Sequence, residues 1–168
     1  NESRAQAGVL LQSIRAQAEG IGNQLEVQIS TGAVDDLLDP DQRCISPSDF
    51  GFHNAIRSAS GVRFIDFEFA GWDDPTKTLV DFELQPRIPV RPSSAECLHT
   101  FVSEYGDFVN SRYTLLKPIL QLKWTCIILS VLRVERLSEI LSTDPTKQQQ
   151  ILIKQRLHSA KQYLERIV

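Results

Sequence analysis

The sequence predicts an α+β protein that is mostly helical and carries one β-hairpin. Apolar Ile65, Phe67 and Phe69 alternate with Asp66 and Glu68, which is the period of two expected of a strand. Elsewhere apolar residues recur every three or four positions, as in amphipathic helices. With 168 residues, 42% of them hydrophobic and 23% charged, the chain is long enough for one core. We therefore expect a single domain over residues 1–168.

The N-terminal part of the chain predicts one helix and then the hairpin. Residues 2–21 place apolar side chains at helical spacing, and Gly20 and Gly22 are expected to end that helix. A connecting segment follows. Residues 54–56 and 62–69 then predict two strands, joined by the short polar linker RSASG.

A second helix is predicted over residues 76–84, opened by the Asp-Pro pair at 74–75. Proline is tolerated in the first turn of a helix, and an acidic residue suits its positive N-terminus. The three prolines of PRIPVRPSS predict an extended linker. Ser94 is expected to cap the helix that comes next.

The remainder predicts helices throughout. Residues 112–141 form one long or broken helical region with Pro118 as the expected kink, and residues 119–132 are apolar on nearly all sides. We expect the central helix of the core there. Asp144-Pro145 is expected to start the last helix, which should bury five residues: Ile153, Leu157, Ala160, Leu164 and Ile167.

Composition and charge narrow the class of protein. A net charge of −3 and the lack of any Lys/Arg cluster argue against nucleic-acid binding. Cys44, Cys97 and Cys126 match no metal or disulfide spacing, so free thiols in a cytoplasmic protein are expected. No apolar run reaches the roughly 20 residues that cross a bilayer. The chain begins with Asn1 and contains no methionine, from which we expect a fragment of a longer product.

One stretch, SPSDFGFHNAIRSASGVRFIDFEFAGWDDP, spaces polar residues in a way that suggests chemistry. A hairpin would bring Asp66 back beside Asn54, since antiparallel neighbours lie about 5 Å apart. An Asn amide and an Asp carboxylate are suitable oxygen ligands for Mg²⁺. Asp49 would then be a carboxylate within reach of a hydroxyl that attacks a phosphoryl group. These are the parts used in kinase phosphoryl transfer.

The same residues, SDFGFHNAI, FIDFEFAGWDDP and the later DF, resemble the catalytic core of the aminoglycoside phosphotransferase and choline kinase family. That family shows approximately His-Gly-Asp-x-x-x-x-Asn, a short hairpin, Ile-Asp-Trp/Phe-Glu, Gly-x-x-Asp-Pro and a further Asp. The motifs lie within residues 46–81, and the resemblance implies that the whole chain, residues 1–168, is the C-terminal lobe of a protein-kinase-like fold. It also implies ATP as co-substrate, Mg²⁺ as cofactor, and transfer of the γ-phosphate to the hydroxyl of a small substrate that could be cationic.

The resemblance also assigns roles to particular residues. It implies that Asp49 is the catalytic base, that Asn54 and Asp66 bind the metal and nucleotide, and that Asp81 supports the catalytic loop. Three further residues are candidates for acceptor contacts: Glu68, Asp73 and Asp74. Two family positions differ, since Pro47 stands at the family's His and Ser48 at its Gly. The N-terminal nucleotide lobe is absent from residues 1–168, so the isolated chain is expected to be inactive.

Other interpretations stay open at this stage. Asp49 could be an ordinary turn residue, and Asp73 and Asp74 could simply cap a helix. Trp72 and Trp124 could stack on a ligand, although packing in the core or an interface is the stronger expectation. The main alternative function is a non-catalytic, kinase-like binding or interaction module. A purely helical structural protein ranks last, because it leaves the Asp/Asn spacing unexplained.

Overall fold

The computed structural model describes residues 2–32, 37–143 and 149–166. Within them, helices predominate and two small antiparallel sheets complete an α+β fold, as the sequence predicts. The helices are α1 (Glu2–Ser30), α2 (Pro75–Glu83), α3 (Pro92–Ser103), α4 (Phe108–Ser130), α5 (Val134–Thr143) and α6 (Gln149–Leu164). The strands are β1 (Cys44–Ser46), β2 (Ala55–Ser58), β3 (Gly61–Phe64) and β4 (Gly71–Asp73).

The chain divides into two compact units, and the prediction of one domain over residues 1–168 stays a prediction. One unit comprises Asn1–Gln24 with Gln121–Val168, and the other comprises Leu25–Leu120. The second unit holds both sheets, α2 and α3. Its core is built on Leu79, Val102 and Val109, around which four partly buried side chains pack: Leu98, Tyr105, Phe108 and Tyr113.

The first unit contains most of α1, the second half of α4, and helices α5 and α6. Trp124 and Ile128 are buried in it, as expected for the apolar stretch of α4. Gln121 is buried too, and its side-chain amide donates to the carbonyl of Tyr163 at 2.8 Å. In α6 the predicted residues Leu157, Ala160 and Leu164 are buried and Ile153 is half-buried. The predicted start of this helix at Asp144-Pro145, and Ile167, lie outside the described residues.

Several predicted helix boundaries are wrong. Helix α1 continues through Gly20 and Gly22 and ends only at Ser30, where Gly32 takes a φ of 67°. Glycine weakens a helix by about 1 kcal/mol but does not stop one. The later helix begins at Pro92, with Arg91 rather than Ser94 at the N-cap.

The break in the long helical region is also misplaced in the prediction. Helix α4 runs unbroken past Pro118 to Ser130, and the chain turns between α4 and α5. There the amides of Leu132 and Arg133 donate to carbonyls three residues back, which tightens the turn. By contrast, the predicted start of α2 is confirmed: Pro75 is its first residue.

The predicted second strand of the hairpin is too long. Strand β3 ends at Phe64, because Asp66 takes a φ of 67° and leaves the extended conformation. The side chains of Ile65, Phe67 and Phe69, which the alternation predicted to share one strand face, are all exposed. The hairpin itself is confirmed, although β2 spans Ala55–Ser58 rather than residues 54–56, and Ala55 lies opposite Phe64.

Within the described ranges, no single helix is long and apolar enough to cross a membrane. The segments Phe108–Ser130 and Glu135–Thr143 meet that test only when they are taken together as a bent pair. All three cysteines are free, as predicted.

Candidate functional site

Four of the predicted site residues lie in two loops enclosed by two antiparallel ladders, whereas Asp73, Asp74 and Asp81 lie in or next to β4 and α2. Strands β1 and β4 form the outer ladder, with Ser46 opposite Gly71. Strands β2 and β3 form the inner ladder, which begins with Ala55 opposite Phe64. Residues 47–54 therefore form one arm and residues 65–70 the other, between the same two ladders. We call these the 47–54 loop and the 65–70 loop.

The 47–54 loop brings Asp49, His53 and Asn54 together. The imidazole Nε2 of His53 lies 3.1 Å from Oδ2 of Asp49. The side-chain amide of Asn54 donates to the Asp49 carbonyl at 3.0 Å and lies 3.5 Å from Asp49 Oδ2. Since the Asn54 nitrogen is used within the loop, its Oδ1 is the atom suited to a cation.

Aromatic side chains of this loop pack against strand β3 and helix α2. The ring of Phe50 lies 4.8 Å from that of Phe64 and 5.0 Å from that of Phe82. The ring of Phe52 meets Phe82 edge-on at 5.3 Å. Because Phe50 and Phe52 bracket Gly51 and anchor to β3 and α2, the backbone between Asp49 and His53 is held from both sides.

The second predicted metal ligand, Asp66, lies on the opposite arm. The amide of Ile65 donates to the carbonyl of Asn54 at 2.9 Å, so Asp66 lies one residue past a direct link to Asn54. Asp66 is exposed and has a φ of 67°. Ser48, next to Asp49, has a φ of 68°, and no other non-glycine residue in the described ranges has a positive φ. Both loops therefore contain one residue in a conformation that L-amino acids disfavour.

Asp74, a candidate for acceptor binding, is committed to the fold. Its Oδ1 accepts from the amide of Thr76 at 2.7 Å and so caps α2. Its Oδ2 accepts from Nε of Arg112 at 2.7 Å, and the two side chains are 11% and 13% exposed. This geometry favours the interpretation of Asp74 as a helix cap.

Asp73 and Asp81 share one lysine. Nζ of Lys77 lies 2.6 Å from Asp73 Oδ2 and 3.4 Å from Asp81 Oδ2. Burial lowers the pKa of Lys77, but the hydrogen bond with Asp73 and the charges of Asp81 and Asp73 outweigh burial, and the net pKa is raised. Asp81 is buried, as a supporting residue should be. Its predicted contact with the catalytic loop stays a prediction. Glu68, the third acceptor candidate, is exposed in the 65–70 loop.

Sequence reasoning missed the buried hydroxyl pair behind the 47–54 loop. Ser46 is 1% exposed, and its Oγ accepts from the amide of Ser48 at 3.1 Å and from Oγ1 of Thr78 at 2.8 Å. This pair ties the start of the loop to α2. Sequence reasoning also missed the contact of His53 with Asp49. The only signal in the sequence is its spacing of four residues from Asp49.

Trp72 is not packed in the core of its unit. It lies on β4 opposite Ile45, and both side chains are 70% exposed. Trp124, in contrast, is buried in α4. Core packing is therefore confirmed for Trp124, whereas Trp72 is outside the core of its unit and its packing in an interface stays a prediction.

The donor set suits a weakly held divalent cation. The described residues contain no group of three or more His, Cys, Asp or Glu side chains placed to hold a metal. Mg²⁺ needs less than that, because it keeps several waters and takes one or two protein carboxylates together with substrate phosphates. The Asn54 amide oxygen and the Asp66 carboxylate are oxygen ligands of the types that this mode of binding uses.

No protein-family model, curated protein or solved structure matches this chain.

Gly51 provides a test of the packing in the 47–54 loop. A Cβ at this position would lie 2.7 Å from His53 Nδ1 and 3.0 Å from Gln85 Cγ. Gly51→Ala should therefore displace the imidazole and lower the free energy of unfolding by about 1–3 kcal/mol. Urea denaturation would measure this change in the free energy of unfolding. Gly71→Ala in β4 is the control, because nothing lies within 4 Å of its added Cβ. Equal stability of the two variants would contradict the described packing.

Proposed function

We propose that this chain carries the catalytic and metal-binding half of an ATP-dependent phosphotransferase, with the fold of a kinase-like C-terminal lobe. The acceptor is the hydroxyl of a small molecule. Asp49 is the catalytic base, and Asn54 and Asp66 hold Mg²⁺ on the nucleotide phosphates. In the family that the motif resembles, a further lobe covers the nucleotide, so the proposal concerns the complete gene product in the cytoplasm.

The convergence of the two loops is the observation that carries this proposal. Asp49 and Asn54 are hydrogen-bonded to each other, and Asp66 follows directly after the backbone link between Asn54 and Ile65. The positive φ angles at Ser48 and Asp66 add support. Such conformations cost on the order of 1–3 kcal/mol each and cluster at functional sites, where the surrounding structure holds them in place.

The proposed reaction moves one phosphoryl group and one proton. The acceptor oxygen forms a bond to the γ-phosphorus as the bond between that phosphorus and the bridging oxygen breaks, leaving the electron pair on the nucleoside diphosphate. The acceptor's proton passes to the carboxylate of Asp49 and then to solvent. Mg²⁺, when bound, offsets the negative charge of the phosphates. Asn54 orients Asp49 through the hydrogen bond to its carbonyl.

A non-catalytic binding module is the second candidate. The observation that favours it is Pro47, which stands where the resembled family has His. A proline side chain has no donor or acceptor, so it cannot supply a hydrogen bond to the loop. This candidate keeps the two ladders as scaffold but predicts no metal-dependent nucleotide binding.

Metal-dependent nucleotide binding separates the two candidates. Electron paramagnetic resonance of Mn²⁺, used in place of Mg²⁺, would be recorded on the complete gene product with and without ATP. We expect ATP-dependent Mn²⁺ binding that Asp66→Asn weakens at least 10- to 100-fold, because a charged ligand is lost. Asp41→Asn, which neutralises an exposed carboxylate outside the site, should bind as the wild type does. Absence of ATP-dependent Mn²⁺ binding in the wild type would reject the phosphotransferase.

A further inference from the structure

The carboxylate of Asp49 is held from one side by a buried histidine. The side chain of Asp49 is 51% exposed, whereas that of His53 is only 6% exposed. The contact of 3.1 Å joins His53 Nε2 to Asp49 Oδ2, which is also the oxygen nearer to the Asn54 amide. Oδ2 is thus engaged by the protein, which leaves Oδ1 as the oxygen available to a substrate proton.

The ring of His53 is fixed by its surroundings. It lies against the backbone of Gly51, at a distance that leaves no room for a Cβ there. The short 3₁₀ turn Phe52–Asn54 carries it, and Phe52 anchors that turn on Phe64 and Phe82. A ring held in this way presents Nε2 to Asp49 in one orientation.

The contact between Nε2 and the Asp49 carboxylate identifies the tautomer of His53. Within the described residues, Nδ1 of His53 is buried and has no hydrogen-bond partner. An ionised carboxylate only accepts hydrogen bonds, so the contact with Asp49 requires a proton on Nε2. A neutral ring with the proton on Nε2 satisfies the contact and leaves an unpaired lone pair on Nδ1. Burial of an unsatisfied acceptor costs about 1–3 kcal/mol, which the loop tolerates for this arrangement.

We infer that His53 is the positioning residue of Asp49, an inference that rests on the phosphotransferase function proposed above. Its Nε2–H donates to Oδ2 and sets the plane of the carboxylate, so that Oδ1 receives the proton of the acceptor hydroxyl. Position 47 carries proline and offers no such donor, so the orienting hydrogen bond comes from within the loop, four residues after the base. His53 does not touch substrate in this arrangement and acts only through Asp49.

The positioning role of His53 can be tested by steady-state kinetics of the complete gene product. Mg·ATP turnover would be followed by release of ADP, first with water and then with amino alcohol, sugar and aminocyclitol acceptors. His53→Leu should lower kcat roughly 10- to 100-fold through misplacement of the base. The KM for ATP and the ATP-dependent binding of Mn²⁺ should stay within about twofold, since the metal ligands are untouched. His53→Gln, which keeps a donor, should recover most of the loss. His158→Leu, at an exposed histidine of α6, is the matched control and should leave kcat unchanged.

Three outcomes of these measurements would overturn the inference. In the first, His53→Leu keeps the kcat of the wild type. In the second, His53→Gln is as slow as His53→Leu, which would show that the ring acts by packing alone. A fall in Mn²⁺ binding equal to the fall in kcat would also count against it, because the residue would then support the metal rather than the base.

Nitrogen-15 spectra of the histidine side chains separate failure of this inference from failure of the proposed function. The chain has three histidines, and loss of one signal in His53→Gln assigns the ring. We expect the proton of the His53 ring on Nε2, and a change in its nitrogen-15 chemical shifts in Asp49→Asn. A proton on Nδ1 of His53 would overturn the inference. The expected spectrum could be seen in a wild type that releases no ADP with any acceptor. That result would reject the proposed phosphotransferase and with it the positioning role, but would confirm the contact between His53 and Asp49.

Discussion

Asp49→Asn is expected to lower phosphoryl transfer by about 10²- to 10⁴-fold, the usual contribution of a catalytic acid or base. The amide keeps the shape of the carboxylate but cannot take up the proton of the acceptor hydroxyl. The His53 contact survives, because the amide oxygen accepts the Nε2–H in place of Oδ2. The substitution should therefore remove chemistry without unfolding the loop. ADP release in the presence of acceptor would measure the loss.

Asp41→Asn gives the matched control for this substitution. It makes the same change of charge at an exposed position in the short 3₁₀ turn Pro40–Gln42, outside both loops. Its turnover and its unfolding midpoint should equal those of the wild type. Wild-type turnover in Asp49→Asn would remove Asp49 from the role of base. A fall in unfolding midpoint that matches the fall in turnover would instead assign Asp49 to the stability of the loop.

Asp74→Ala is expected to destabilise the protein by about 4 kcal/mol. The substitution removes the cap of α2, worth about 1 kcal/mol. It also removes the carboxylate that Arg112 contacts at 2.7 Å in a nearly buried setting. Breaking one side of a buried ion pair usually costs 3–5 kcal/mol, and partial exposure of this pair places it toward the lower end. Chemical denaturation would measure the change.

Asp74→Asn separates the two contributions. Asparagine is as good an N-cap as aspartate, so this variant keeps the hydrogen bond to Thr76 and loses only the charge that faces Arg112. The free energy of unfolding of Asp74→Asn should lie between that of the wild type and that of Asp74→Ala. A double-mutant cycle with Arg112→Ala would give the coupling between the two side chains directly. If Asp74→Ala costs less than 1 kcal/mol, Asp74 is not a structural residue, and its role as an acceptor contact regains support.

Sequence patterns predicted the local features of the site and missed the non-local ones. The hairpin and the Asp-Pro start of α2 follow from short stretches of sequence, since each depends on neighbouring residues. Strands β1 and β4 have three residues each, too few for an alternating pattern. Each forms because of a partner about 25 positions away, as in the pairing of Ser46 with Gly71. A local search cannot detect such a ladder.

Backbone conformation explains the errors at Asp66 and at Gly20 and Gly22. The alternation through residues 65–69 is what a strand would show, but one residue with positive φ ends the extended run. The two glycines looked like a helix end, yet the residue that takes the left-handed conformation at the actual end of α1 is Gly32. Propensity alone does not say which of several glycines adopts that conformation.

Nested ladders have a consequence for the order in which this region forms. In an unpaired chain, bringing Ser46 onto Gly71 closes a loop over the whole of residues 47–70. Once β2 and β3 are paired, only the two short arms remain to be constrained, and the entropic cost of closure is smaller because it rises with loop length. The inner hairpin should thus form before the outer ladder. Asp49, Asn54 and Asp66 lie in the arms, so both ends of each arm are held only when both ladders are closed.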